Sequence, residues 1–214
     1  NAAVEDKYDG STIAVYYCQG GITSQATTSL WGGEQQIVSS NVISDLNDLA
    51  KDEDVKAVVI RINSGGGDAY ASEQIWRAVS QLNKKKPVVV SMGGMAASGA
   101  YYMSMGARYI MAQPTTLTGS IGIFGAFPDM SGLITQKLGV KFDEVKTNRH
   151  STFGNLMARP FNAEETAMLQ ASVNRGYSLF RQRVADGRHL TTESVEKIAQ
   201  GRVWLATDAL NIKL

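Results

Sequence analysis

The chain has almost none of the residues on which disulfide, thiol or metal chemistry is built. Its 214 residues include one cysteine, Cys18, and two histidines, His150 and His189. A single cysteine excludes an intrachain disulfide. Cys18 falls in an expected core strand, Ile13 to Cys18, with no helix mouth or histidine beside it, so it reads as a buried structural thiol rather than a nucleophile. Two histidines without further ligands do not make a zinc site, and no metal or cofactor is expected. Neither sign of charge is in excess: the net charge is +1, and nothing points to nucleic acid or an anionic membrane as the main partner. No apolar run approaches the roughly 18 residues that a membrane helix needs, and the opening residues lack the pattern of a signal peptide. Asn1-Ala2 reads as a tag remnant and the chain as an excised piece. Residues 1–12 are expected to be a disordered or tag-derived lead, and residues 13–214 a single domain, since 43% hydrophobic residues supply one sizeable core.

What is present alternates strand and helix, the pattern of an α/β architecture. Strands are expected at Ile13–Cys18, Val55–Ile62, Val88–Met92, Tyr109–Ala112, Ile121–Phe124 and Val140–Val145. Helices are expected at Val38–Ala50, Ala71–Lys84, Ser98–Met105, Ser131–Leu138, Ala163–Ala185 and Thr192–Gln200. The helix from Ala163 carries Leu169, Val173, Tyr177, Phe180 and Val184 on one face. Asn162 with Glu165 three residues on suits a capping box, and Thr191 suits an N-cap. Lys84-Lys85-Lys86 reads as a solvated helix end, stopped by Pro87. Gly20 to Gln36 reads as an exposed loop. Thr147 to Pro160 is a long connection, a kind of segment that is often functional, where Phe153, Leu156 and Met157 either line a substrate groove or fold back on the core.

Two segments carry a chemical signal. In the first, the apolar run Val88–Val90 leads into Met92-Gly93-Gly94-Met95-Ala96-Ala97-Ser98-Gly99-Ala100-Tyr101-Tyr102. A strand ends, the backbone turns among small residues, and a serine stands at the mouth of a helix whose first-turn amides are unpaired and partly positive. Such amides can hold a forming oxyanion. In the second, the β-branched run Ala57–Ile62 ends in Asn63-Ser64-Gly65-Gly66-Gly67, followed by a helix with Ile75, Val79 and Leu82 on one face. No Lys-Ser or Lys-Thr pair follows these glycines, which argues against a P-loop. Two such turns side by side can aim two amides at one point, as acyl transfer requires. Ser98 is therefore the candidate nucleophile, and the amides of Gly67 and Gly99 are the candidate oxyanion donors. The small residues around Ser98, including Ala97, leave room beside it. Met92, Met95 and Met103 supply either adaptable apolar walls or core filling. Gly66, Met95 and Ala97 are the expected substrate-binding positions.

These two segments, with Leu117-Thr118-Gly119-Ser120-Ile121-Gly122 and Ile198-Ala199-Gln200-Gly201-Arg202-Val203-Trp204, resemble the signal peptide peptidase A (protease IV) family, and more narrowly the C-terminal half of its long, two-repeat form. The resemblance runs from about Ile13 to Trp204. It departs where the family usually has proline, here Gly65, and after Trp204, where the family's Thr-Gly is Leu205-Ala206. It implies a superhelix of β-β-α units shared with Clp protease and the crotonases, a serine–lysine dyad acting on apolar peptides such as released signal peptides, self-association into rings or domes, and a place in the bacterial cell envelope.

The base is the missing piece. Neither His150, in the long connection, nor His189, at a helix end, is placed for catalysis. In short family members the dyad lysine comes from the loop equivalent to Thr147–Pro160, at a position that falls near Ser151 or Thr152. No lysine stands there, and Lys146 is the nearest. In the long form the N-terminal half of the same protein supplies it. The resemblance thus implies that this chain holds the nucleophile and oxyanion hole, and that its partner half holds the base. A non-catalytic assembly half and a crotonase-like acyl-CoA enzyme, which also holds an oxyanion with two amides, are the alternatives.

Overall fold

The computed structural model describes residues 10–26 and 35–214. The expected disordered lead falls largely on residues 1–9, which lie outside the described residues, as does the Asn1-Ala2 reading. Contacts divide the chain into two units: the chain to Gly122 together with Leu179–Leu214, and Ile123–Ser178.

The first unit is built on a six-stranded sheet. Strands β1 (Thr12–Gln19), β4 (Val55–Ser64) and β5 (Val88–Ala97) are parallel neighbours. β6 (Tyr109–Met111) and β7 (Leu117–Gly119) both run parallel to β5, and β8 (Val203–Leu205) closes the far edge antiparallel to β7. A separate parallel pair joins β2 (Gly21–Thr23) to β3 (Gln36–Val38). Helices α1 (Ser39–Lys51) and α2 (Ala69–Lys85) follow β3 and β4 and pack on each other. The period-2 pattern of β4 and β5 buries Val58, Ile60, Ile62, Val88, Val90 and Met92. The helical spacing buries Val42 and Leu46 of α1 and Ile75, Val79 and Leu82 of α2. The alternate residues of β1, Ile13, Val15 and Tyr17, remain exposed. Cys18 faces the core, and burial pushes its thiol up to about 12, as befits a structural residue.

The expected strand at Val88–Met92 continues to Ala97, and this extension matters for the site. β5 changes partners along its length. Val89–Ser91 pair with β6, whereas Met95–Ala97 pair with β7, and the register with β4 shifts between Ile62 and Ser64. Gly93 lies at the change. A Cβ there would meet the Ile62 carbonyl and the Asn63 side chain at 3.1 Å, so the strands approach closely because this residue has no side chain.

Two expected strands are absent. The third partner of β5 is Leu117–Gly119 rather than Ile121–Phe124, because the threonine-bearing segment meets β5 first; Ile121 is buried, and its carbonyl accepts from Gly201 instead. Val140–Val145 alternates like a strand but pairs with none among the described residues, and Val140, Phe142 and Val145 are exposed. The expected helix at Ser131–Leu138 is a π-helical turn over Gly132–Lys137, with Leu138 N donating to Leu133 O. The loop expected from Gly20 contains β2, whose Ile22 is buried; residues 27–34 of that loop lie outside the described ones. Lys84 and Lys85 are exposed, but Lys86 is only half so. Its ammonium donates to the carbonyls of Leu49 and Asp52 at the end of α1, where a cation meets the negative helix end.

Helix α3 (Gly99–Ser104) follows β5, and the long α4 (Ala163–Arg188) supplies Phe180, Arg183 and Val184 to the first unit. Phe180 and Val184 are buried, as their helical face predicts. Phe180 lies 4.6 Å from the ring of Tyr102. The Tyr102 hydroxyl donates to Glu73 of α2, which also accepts two bonds from Arg183, and the Arg183 guanidinium sits 3.7 Å over the Trp76 ring. Beyond α4, His189 at φ 54° ends the helix. α5 (Thr192–Ile198) starts at the expected Thr191 cap, whose hydroxyl accepts from Ser194 N at 3.2 Å. It stops two residues short of Gln200, because Gln200 and Gly201 both turn to positive φ. α6 (Ala206–Asn211) completes the unit.

Within the second unit the capping box forms as expected: Glu165 N donates to Asn162 Oδ1, and Asn162 N to a Glu165 carboxylate oxygen, both at 2.9 Å. Arg159 grips the same carboxylate with two bonds of 2.7 and 2.8 Å. The Arg159 guanidinium, then the Asn162 amide, hold the Glu165 carboxyl down at about 2 against an ordinary 4.5. The unfolded chain therefore takes up this proton first as the pH falls. The stability from this carboxylate is complete above about 4.5 and is lost as the pH falls toward 2. Glu165→Gln is expected to flatten the acid limb of stability in that window while leaving its alkaline limb alone, as urea midpoints measured against pH would reveal; an unchanged acid limb would contradict the assignment.

Candidate active site

Ser98 stands between β5 and α3 with φ 52° and ψ −122°. This backbone is rarely adopted by a residue with a side chain and costs about 1–3 kcal/mol, so it persists only where its surroundings enforce it. Here they do. Ser98 N donates to Gly119 O of β7 at 2.9 Å, and Ser98 O accepts from Tyr102 N at 2.8 Å to open α3. The side chain makes no capping bond and is only partly buried. Its hydroxyl is thus free to be used in chemistry.

The two glycine turns meet at this serine. Gly66, at φ +100°, packs so tightly that a Cβ would sit 2.7 Å from Gly99 N and 2.9 Å from Ser98 Cβ. Its own N–H donates to Ser64 Oγ and its carbonyl accepts from Ile22 N, so Gly66 backs the turn with both backbone groups engaged. Gly67 pairs as a bridge with Ile22. A Cβ on Gly99 would lie 3.3 Å from Gly67 N and 2.4 Å from the hydroxyl of buried Ser72. The amides of Gly67 and Gly99 therefore approach one another beside Ser98. Gly99 N opens α3, where an amide has no partner inside the helix. Ala97 is buried and pairs with Gly119. Met95 is exposed, with its thioether 3.4 Å from where a Gly65 Cβ would be, whereas Met92 and Met103 are core residues.

Residues that frame the turn do so through bonds that no motif announces. Asn63 Oδ1 accepts from Met95 N at 3.2 Å, Thr116 Oγ1 donates to Gly93 O at 2.7 Å, and Thr118 Oγ1 donates to Ala96 O at 2.8 Å. Only the period-2 spacing of the threonines hints at a shared face. The turn thus brings together a strained serine at a helix mouth and the neighbouring backbone nitrogens of Gly67 and Gly99.

The model of peptidase family S49 matches residues 80–214, a span that contains Ser98, Gly99 and β7. The chain belongs to peptidase family S49. A Clp protease family model also matches residues 13–118. The S49 chain is 42% identical over 94% of its length to Protease 4 of Salmonella typhi, and 36% identical over 89% of its length to the chloroplastic serine protease SPPA of Arabidopsis thaliana. It spans 31% and 28% of those two proteins. Its fold is that of Clp protease: a ClpP1 mutant from Listeria monocytogenes aligns with a TM-score of 0.60 at 15% identity, over 93% of this chain and 86% of that one. Family and fold are those that the sequence resemblance implies.

Basic residues at and beside the Thr147–Pro160 connection are engaged in ion pairs. His150 Nε2 lies 3.2 Å from Glu164, which also binds Arg149, and Lys146 pairs with Glu144 at 2.6 Å. In the Thr147–Pro160 connection, Thr152 Oγ1 accepts a hydrogen bond from Arg159 at 3.1 Å. Phe153 lies 5.5 Å from the ring of Phe161, within the second unit, while Met157 is exposed. Among the described residues no helix is long and apolar enough to cross a membrane.

Proposed function

We propose that this chain is the nucleophile-bearing part of a serine–lysine peptidase, and that its lysine base is supplied by the N-terminal half of the same protein. The strained Ser98, its side chain without a capping bond and the backbone nitrogens of Gly67 and Gly99 close by, carries the reading. Ser98 Oγ attacks the scissile carbonyl while the lysine amine takes its proton. The negative oxygen is held by the N–H groups of Gly67 and Gly99. Collapse breaks the C–N bond, the lysine returns the proton to the leaving amine, and water repeats the sequence on the Ser98 ester. A lysine serves at neutral pH only when desolvation or a neighbouring cation lowers its pKa. The engaged state of Lys146 and the absence of lysine from Thr147–Pro160 support a base from elsewhere. Apolar peptides, such as signal peptides released in the bacterial envelope, are the proposed substrates, and exposed Met95 beside the turn suits an apolar wall. The exposed apolar row of β1 supports assembly with further copies or units.

The test is cleavage of a short apolar fluorogenic peptide by this chain and by the full-length protein, each as wild type and as Ser98→Ala. Activity is expected only in the full-length wild type, with Ser98→Ala at least ~10³-fold slower. Cleavage by this chain alone would place a base within it. Full activity in Ser98→Ala would remove the nucleophile assignment. Sedimentation of the active full-length protein as a strict monomer would remove the assembly part.

A further inference from the structure

The half of β5 that leads into Ser98 is poorly held by backbone pairing. Past Ile62 its register with β4 is lost, and only Ser64↔Ala96 remains on that side. On the other side β7 is three residues long. Yet Ser98 must be kept in a backbone geometry that it would not adopt unaided. Two buried hydroxyls fill the gap. Thr116, with no exposed surface, donates to the Gly93 carbonyl at the bend, and Thr118, 3% exposed, donates to the Ala96 carbonyl two residues before Ser98. The next residue, Gly119, accepts the Ser98 amide. One short strand thus fixes the peptide groups on both sides of Ala97, one through a side chain and one through its backbone.

We propose that Thr118 is a positioning residue for the nucleophile, acting through the Ala96 carbonyl, with Thr116 supporting the bend behind it. The proposal rests on the reading of Ser98 as nucleophile. Thr118 touches no reacting atom. Its hydroxyl restrains the last strand peptides, so that the turn at Ser98 keeps its φ and the Gly99 amide keeps its aim. Valine has the same shape without the donor, and serine keeps the donor without the methyl group. The hydrogen-bond donor rather than side-chain volume is therefore what separates the two substitutions.

The experiment uses the full-length protein as wild type, Ser98→Ala, Thr118→Val, Thr118→Ser and Thr116→Val. It reads steady-state peptide cleavage and the rate of labelling by a fluorophosphonate probe. Thr118→Val is expected to lower kcat about tenfold or more with KM within about twofold, since small misplacements of a reacting group are costly. It should slow labelling to the same degree, and Thr118→Ser should recover most of both rates. Wild-type kcat in Thr118→Val, a Thr118→Ser as slow as the valine variant, or a loss carried by KM would each overturn the proposal. If Thr118→Val does not fold, Thr118→Ser and Thr116→Val decide: near-wild-type rates for the first with a kcat-only loss for the second support the role, and any other combination overturns it. A wild-type protein that cleaves peptide but is not labelled at Ser98, or an active Ser98→Ala, would sink the nucleophile assignment itself and is told apart by those two controls.

Discussion

Gly66→Ala in the full-length protein is expected to abolish peptide cleavage as thoroughly as Ser98→Ala. The added methyl meets the Gly99 amide nitrogen at 2.7 Å, the Ala97 carbonyl at 2.9 Å and Ser98 Cβ at 2.9 Å. Two of these three are backbone, which cannot swing aside as the end of a side chain can. The φ of +100° adds its own penalty for any residue with a Cβ. Strain of about 1–3 kcal/mol and overpacking of about 1–3 kcal/mol relax most readily by pushing the Ser98–Gly99 turn away. That movement carries Ser98 and the Gly99 amide, the proposed nucleophile and oxyanion donor, off target together, and loss of one such donor alone typically costs ~10²–10³ in rate. Gly65→Ala is the matched control. Its φ is unexceptional, and the new methyl meets only the flexible Met95 thioether at 3.4 Å. It should leave the fold as stable or slightly stabilise it, by about 0.4–1 kcal/mol, through a less flexible unfolded chain. Equal activity in the two variants would refute the view that Gly66 is a steric support of the turn.

Phe180→Ala should destabilise the first unit by about 3–5 kcal/mol, the usual cost of removing a buried phenylalanine. The side chain is 2% exposed and lies on the Tyr102 ring, whose hydroxyl is tied to Glu73 and, through Glu73, to Arg183. The cavity would open under α3, one turn beyond Ser98. The hydrogen bonds that hold Tyr102 to Glu73, and Glu73 to Arg183, restrain the ring from collapsing into it, which argues for the upper part of the range. Denaturant midpoints followed by circular dichroism give the value; a loss below about 1 kcal/mol would show that the cluster is not a packed support. Phe124, 89% exposed, provides the contrast: Phe124→Ala should change stability by less than about 0.5 kcal/mol.

The parts of the fold that could be read from sequence are those in which one local pattern suffices. β4 and α2 announce themselves by alternation and by steps of three and four, and the Asn162–Glu165 box by its spacing. The turn at Ser98 was legible because small residues, a serine and a helix start fall in one run, and the family motifs extend it. What was not legible depends on partners distant in the chain. The extension of β5 to Ala97 exists because β7 arrives to pair with it, and nothing between Met92 and Ala97 says so. Val140–Val145 shows the reverse, with alternation but no strand to meet. β2, β3 and β8 are three residues each, too short for any period. Lys86 looked like one of three solvated cations because its acceptors, on α1, lie more than thirty residues earlier. Asn63 and Thr118 stand inside the quoted motifs, but the bonds that they and Thr116 make were not legible there, because each acts on a carbonyl or amide in another strand.

The edge strand β8 has a consequence for how the protein is made. Gly119, whose carbonyl receives the Ser98 amide, is paired on its other side with Val203. Ser120 donates to Arg202 O, and the Trp204 indole lies within 2.8 Å of where a Gly119 Cβ would be. A ribosome finishes Ser98 long before it reaches Trp204. Until that residue has left the exit tunnel, β7 has an open edge and the serine has an incomplete frame. A growing chain thus carries the Ser98 turn unassembled until β8, made long after it, closes the open edge of β7.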